Sequence, residues 1–180
     1  MEQRPQLRMY KDLEDLPASA IPTGYEVRRF EAGDESIWVA LLQENGELGE
    51  WNLERAERLF SRKNGAVWRE SIHFLMHQGR AVATACVQLH TDISDGAELG
   101  WVAALPDCRG LGLGRAVCLT VLHFMRNQGY RRAFLRTDDY RLPAIKTYLR
   151  LGFRPSMSYH DSFPARWRAV EAALGESIVN

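Results

Sequence analysis

The sequence predicts an α+β fold, a central, mostly antiparallel mixed sheet of about six to seven strands flanked by helices. Two observations carry this expectation. The block RESIHFLMHQGRAVATACVQLHTDISDGAELGWVAAL, residues 69–105, reads as three consecutive antiparallel strands. Around it, segments with apolar residues at helical spacing alternate with short strands, in the order strand, two helices, meander, helix, strand, helix, strand.

Residues 1–23 contain Pro5, Pro17 and Pro22 and read as an extended arm with a short strand at 7–10. A single domain over 24–180 is expected to follow. GYEVRRF, residues 24–30, is its first strand. Asp34 is placed to cap a helix carrying Ile37, Trp38, Leu41 and Leu42 on one side, and a second helix over 52–62 spaces Leu53, Ala56, Leu59 and Phe60 helically. Turns in the meander are expected at Gln78-Gly79 and Asp95-Gly96. A long helix over 112–128 turns Leu113, Val117, Val121 and Phe124 inward and stops at Gly129. A strand follows at 132–137, then a helix opened by Pro143 and ended by Gly152. A strand around 153–159 and a helix over 164–174, packed on the domain or on a second subunit, complete the chain.

In 180 residues, 23 basic and 23 acidic side chains cancel, so the total charge gives no indication of a broad basic surface for nucleic acid. Cys86, Cys108 and Cys118 are odd in number and lack CxxC spacing, against both a disulfide framework and a zinc knuckle. A reducing, cytoplasmic setting fits, and no metal is expected. The first residues lack the apolar segment of a secretory signal, and no run approaches the roughly 18 apolar residues of a membrane helix. The expectation is a soluble monomer or homodimer with neither membrane nor nucleic-acid partner.

The stretch PDCRGLGLGRA, residues 106–116, places glycines at every second position between arginines, after a strand and before a helix. Unpaired backbone N–H groups and the positive end of a helix dipole converge in such a turn and suit an anion. A Walker loop needs a Lys-Ser or Lys-Thr pair after its last glycine, where this chain has Arg115. A dinucleotide fingerprint needs GxGxxG and an acidic residue about 20 positions on, and no Asp or Glu occurs before Asp138. A ligand-free turn needs fewer glycines than Gly110, Gly112 and Gly114 supply.

Arg109-x-x-Gly112-x-Gly114, at the start of a helix, resembles the acetyl-CoA signature of the GNAT acetyltransferases. Ala144-x-x-x-Tyr148-x-x-x-Gly152-Phe153 resembles the later helix and strand of that family. The resemblance covers about residues 24–159, and single-domain bacterial members related to mycothiol synthase are the nearest flavour. It implies the GNAT fold and transfer of an acetyl or similar short acyl group from acetyl-CoA to a small-molecule or peptide amine by direct attack. It also implies that Arg109, Gly110, Leu111, Gly112, Leu113, Gly114 and Arg115 cradle the CoA pyrophosphate. Backbone N–H groups of Val102, Ala103 and Ala104, at a strand bulge, would hold the pantetheine arm and the carbonyl. Many members have asparagine where this chain has Arg141, which either reaches a phosphate or leaves that contact absent. Non-catalytic CoA binding and nucleotide binding are the rival functions.

An alkyl amine, with a pKa near 10.4, must lose a proton before attack. Glu98 is the candidate base: it shares a strand face with Gly100, Val102 and Ala104, and in some family members a catalytic glutamate has the same offset from the signature residue. The alternative is a solvated strand-end carboxylate. Tyr148 matches the family position that protonates the departing thiolate; otherwise it is a core aromatic beside Ile145 and Leu149. Cys108 has no histidine at a spacing that suggests an activated pair, so covalent transfer is unsupported. His73 and His77, on a strand, stand about 13 Å apart and cannot share a metal; His73 reads as a surface residue or an alternative base. Glu44, Glu47, Glu50 and Glu54 surround Trp51 and read either as a solvated loop or as an acceptor wall suited to a cationic amine.

Overall fold

The computed structural model describes residues 4–91 and 94–179. The chain runs through β1 (Leu7–Asp12), β2 (Glu26–Arg29), α1 (Glu35–Asn45), α2 (Leu53–Phe60), β3 (Ala66–His77), β4 (Arg80–Leu89) and β5 (Gly96–Ala104). A 3-10 turn at Pro106–Cys108 leads to α3 (Leu113–Asn127), β6 (Arg132–Thr137), α4 (Leu142–Arg150), β7 (Arg154–Pro155) and α5 (Phe163–Leu174). All seven strands form one sheet in the order β2-β3-β4-β5-β6-β1-β7. Among the described residues only β5 and β6 pair parallel, and every other pairing is antiparallel.

The β3–β4 hairpin follows from its turn residues. Gln78 and Gly79 take φ of 49° and 78°, the left-handed pair that matches the twist of flanking strands. The second expected turn is displaced. Gly96 already opens β5, and the carbonyl of Asp95 accepts the N–H groups of Arg131 and Arg132 at 3.0 and 3.2 Å, fixing the start of β6. Asp92 and Ile93, in that connection, lie outside the described residues.

Helix starts differ from expectation where side chains find better partners. Asp34 precedes α1 without capping it; its carboxylate takes Arg28 at 2.5 Å and the Glu31 N–H at 2.8 Å. Ile37 is exposed, while Trp38, Leu41 and Leu42 are buried. Asn52 does cap α2, its side chain accepting the Arg55 N–H at 2.8 Å. The expected strand at 153–159 shrinks to Arg154–Pro155.

The arm contributes more than a covering. Leu7 and Met9 of β1 are fully buried, and β1 inserts between β6 and β7, with Leu7 opposite Thr137 and Met9 opposite Pro155. The core lies where α3 crosses the sheet: Val117, Val121 and Leu122 are buried with Ile72, Phe74, Ala85 and Val87. His73 belongs to this interior and not to the surface. It packs edge-on against Phe124, its Nδ1 pairs with the Ser71 carbonyl at 2.8 Å, and burial pushes its pKa down.

Candidate functional site

The site begins as a failure of pairing. β5 and β6 are in register only over Gly96–Arg132, Ala97–Ala133 and Glu98–Phe134, after which β5 continues along β4 and β6 along β1. The split opens a fork in the sheet. On its β5 side the register with β4 slips between Thr84–Ala103 and Cys86–Gly100, so Trp101 and Val102 face the single residue Ala85. Trp101 takes φ 47°, a left-handed conformation rare for an indole residue. This is a β-bulge, and it sits in the stretch where the resemblance implies one.

Two cavities meet at the fork. The larger, of about 730 Å³, runs from Val102, Ala103 and Ala104 over the glycine loop to α4. Arg109, Gly110, Gly112, Leu113, Gly114 and Arg115 line it; Leu111 is exposed and does not. Gly110 and Gly112 have φ of 80° and 76°, and a Cβ added at 110, 112 or 114 would meet nothing within 4 Å. Open space therefore lies above the loop. The first turn of α3 has no side-chain cap, which leaves its N–H groups directed at that space. Arg109 is already engaged, on the Asn45 carbonyl at 2.9 Å and Glu47 at 3.0 Å, and so ties the loop to the end of α1.

The smaller cavity, of about 280 Å³, lies on the other side of the bulge. Val102, Arg141 and Tyr148 line both. Tyr148 is brought there by α4, which Pro143 starts and Leu151 ends, with Gly152 turning at φ 87°. Its ring is buried, 8% exposed, and meets Phe153 edge-on, yet it borders both spaces. Burial pushes the phenol's pKa up. Arg141 donates to the Glu47 carbonyl at 2.6 Å and lies 3.1 Å from Asp138.

Glu98 is not a solvated strand-end carboxylate. It is 3% exposed and accepts from Arg136 at 2.8 and 3.0 Å and faces His90 Nε2 at 2.6 Å. Burial opposes its ionisation, but the His90 and Arg136 hydrogen bonds outweigh burial and hold its pKa below the ordinary glutamate value. Both partners escaped the sequence reading. The available signal was the hairpin, which folds His90 back beside Glu98, and the parallel register, which puts RAFLRT alongside β5.

The glutamates of the acidic segment do not wall the small cavity, although Leu48 does. Glu44 pairs with Arg80, Glu47 with Arg109 and Glu54 with Arg58, and Trp51 is a buried aromatic between Trp38 and Trp101. Arg55 lines the cavity in place of a carboxylate. Gly100 leaves room beside it for Gln88: a Cβ there would lie 2.1 Å from Gln88 Oε1, so the Gln88 side chain would have to shift. Gly100→Ala should turn the Gln88 side chain into the small cavity, raising KM for the group bound there without changing affinity in the larger one. Steady-state titration of each ligand against the variant checks this, and an unchanged KM would show the cavity to be idle.

Among the described residues no three His, Cys, Asp or Glu groups gather to hold a metal ion, and no helix is long and apolar enough to cross a membrane.

Comparison with known proteins agrees with this geometry. The model of the acetyltransferase (GNAT) family matches residues 35–153. A mycothiol acetyltransferase of Thermomonospora curvata is 30% identical over 156 residues, covering 82% of this chain and 50% of its own. That of Thermobispora bispora is 32% identical, covering 77% and 49%. The chain thus spans about half the length of these curated relatives. Among solved structures, a GCN5-related N-acetyltransferase from Sphaerobacter thermophilus superposes with a TM-score of 0.69 at 24% identity, over 85% of this chain and 50% of that one. The ribosomal-protein-S18-alanine N-acetyltransferase of Escherichia coli gives 0.60 at 21% identity, over 73% and 79%. Likenesses this low in identity speak to the fold.

Proposed function

The chain belongs to the GNAT acetyltransferase family, and on that premise we propose that it transfers an acetyl group from acetyl-CoA to an amine by direct attack in the sheet fork. One observation carries the reading: a glycine-loop cavity and a separate small cavity join at the Trp101–Val102 bulge, beside a buried tyrosine.

The donor site fits a pyrophosphate carrier. Open space above Gly110, Gly112 and Gly114, with the uncapped α3 N-terminus behind it, supplies backbone donors, and Arg115 adds charge. Acetyl-CoA supplies an activated acyl group as a thioester. In this reading the Val102 N–H, at the bulge where the register with β4 slips, donates to the thioester carbonyl, where charge develops. Tyr148 Oη gives its proton to the departing thiolate; the phenol is protonated near neutrality, and burial, by raising its pKa, makes it hold that proton more tightly.

Glu98 suits proton removal poorly. A carboxylate with three hydrogen bonds from two partners and a lowered pKa is a weak base, so its role in this reading is to hold Arg136 and His90 in place. Water reached through the small cavity takes the amine's proton. The acceptor is a compact amine, and a cytoplasmic setting completes the proposal.

Thermal shifts with acetyl-CoA, CoA, NAD and ATP test the donor. A ligand at 100 times its Kd stabilises by about 2.7 kcal/mol; no shift with either CoA species sinks the reading. Gly112→Val forces a β-branched residue into a left-handed backbone at φ 76° and fills the cradle. Calorimetric titration should show acetyl-CoA affinity at least tenfold weaker, about 1.4 kcal/mol. Unchanged affinity would mean that the loop does not bind the donor.

A further inference from the structure

Among the described residues the small cavity is lined by three guanidinium groups, Arg55, Arg136 and Arg141, and by a single carboxylate, Glu98. Two of the cations are balanced: Arg136 by its bidentate bond to Glu98, and Arg141 by Asp138 at 3.1 Å. Arg55 is not. It lies over the Trp51 ring at 4.3 Å and the Trp101 ring at 5.5 Å, and its hydrogen bonds go to the backbone carbonyls of Glu50 and Leu48. Among the described residues no carboxylate forms an ion pair with it. Burial, with the charges of Arg58 and Arg62 nearby, lowers its pKa, the direction expected of a cation with no counter-ion.

We propose that the acceptor carries a carboxylate beside its amine, and that Arg55 binds this carboxylate and so directs the amine toward Val102 and Tyr148. The proposal rests on the transferase reading above. Indole rings on Arg55 and two backbone carbonyls fix the guanidinium plane, leaving a preorganised fork for a planar anion. A space of about 280 Å³ lies at the small end of ligand sites, the scale of an amino acid. An amine without an anionic group would bring a positive charge to a lining that already carries an uncompensated one. For the zwitterion the same field favours the neutral amine over the ammonium, as direct attack requires.

The test uses the intact chain and acetyl-CoA, with L-amino acids and their carboxamides as paired acceptors. Thiol release gives kcat and KM for each pair, and calorimetric titration in the presence of CoA gives binding independently of turnover. Acids should be preferred to their amides at least tenfold in kcat/KM, chiefly through KM. Arg55→Gln should cost the acids at least tenfold more than the amides, and Arg55→Lys should restore part of the difference. Thermal unfolding of each variant shows that it is folded. Equal use of acid and amide by the natural chain, an equal loss for both in Arg55→Gln, or no binding of any acid at millimolar concentration overturns the proposal. Binding of acids without thiol release keeps Arg55 as a carboxylate site and overturns the transferase reading instead.

Discussion

Tyr148→Phe is expected to lower kcat by about 10²-fold or more, the usual contribution of a positioned general acid, while acetyl-CoA binding is retained. The variant isolates chemistry from packing. The ring stays, with its contact to Phe153 and its place against the core, and only the hydroxyl at the cavity junction is lost. Burial raises the phenol's pKa, so the proton is present throughout the range in which the proposed transfer is assayed, and the natural chain's rate should show no loss from tyrosine ionisation below about pH 10. The kcat values of both proteins with acetyl-CoA, together with calorimetric Kd values, decide the matter. Equal turnover would remove the tyrosine from the reaction.

Glu98→Gln is expected to destabilise the fold by about 3 kcal/mol, the lower part of the range for breaking a buried ion pair, because the Arg136 side chain is 41% exposed. The loss should depend on pH. The carboxyl's pKa is lower in the folded chain than in the unfolded one, so its stabilisation is complete above the ordinary value of 4.5 and disappears as pH falls through the folded value. Denaturant unfolding at pH 7 should therefore separate natural and variant proteins clearly. The curves should begin to converge below about pH 4.5 and meet only once the pH has fallen past the lower, folded-state value. A gap that persists at low pH would mean that the glutamine harms packing rather than charge.

What the sequence made legible divides by range. Gln78-Gly79, the α3 stripe and the glycine loop depend on neighbours a few positions apart, and each formed as the local pattern required. Tyr148 and the loop were reachable through spacing along one chain segment. The environment of Glu98 was not, because it depends on Arg136, 38 positions away across a parallel register that no local pattern encodes. The acidic segment misled for the opposite reason. Its glutamates are conspicuous in sequence, yet Arg80, Arg109 and Arg58 take Glu44, Glu47 and Glu54, and the half-buried Arg55 reaches the cavity. His73 looked like one residue of an alternating surface face, but both faces of the central strands are covered.

The position of β1 has a consequence for synthesis. It leaves the ribosome before the rest of the sheet, but the strands on either side of it come from the far end of the chain; Gln6 and Asp138, bonded across that junction, are 132 positions apart. At 5–20 residues per second, the strand waits on the order of 10 s for its first neighbour. Through that interval LRMYKD is an unpaired edge, and Arg8, Lys11 and Asp12 give it the charges that discourage pairing with other chains. The last large gap in the sheet is thus closed by one of the first strands made, which has had to remain soluble until both of its partners arrived.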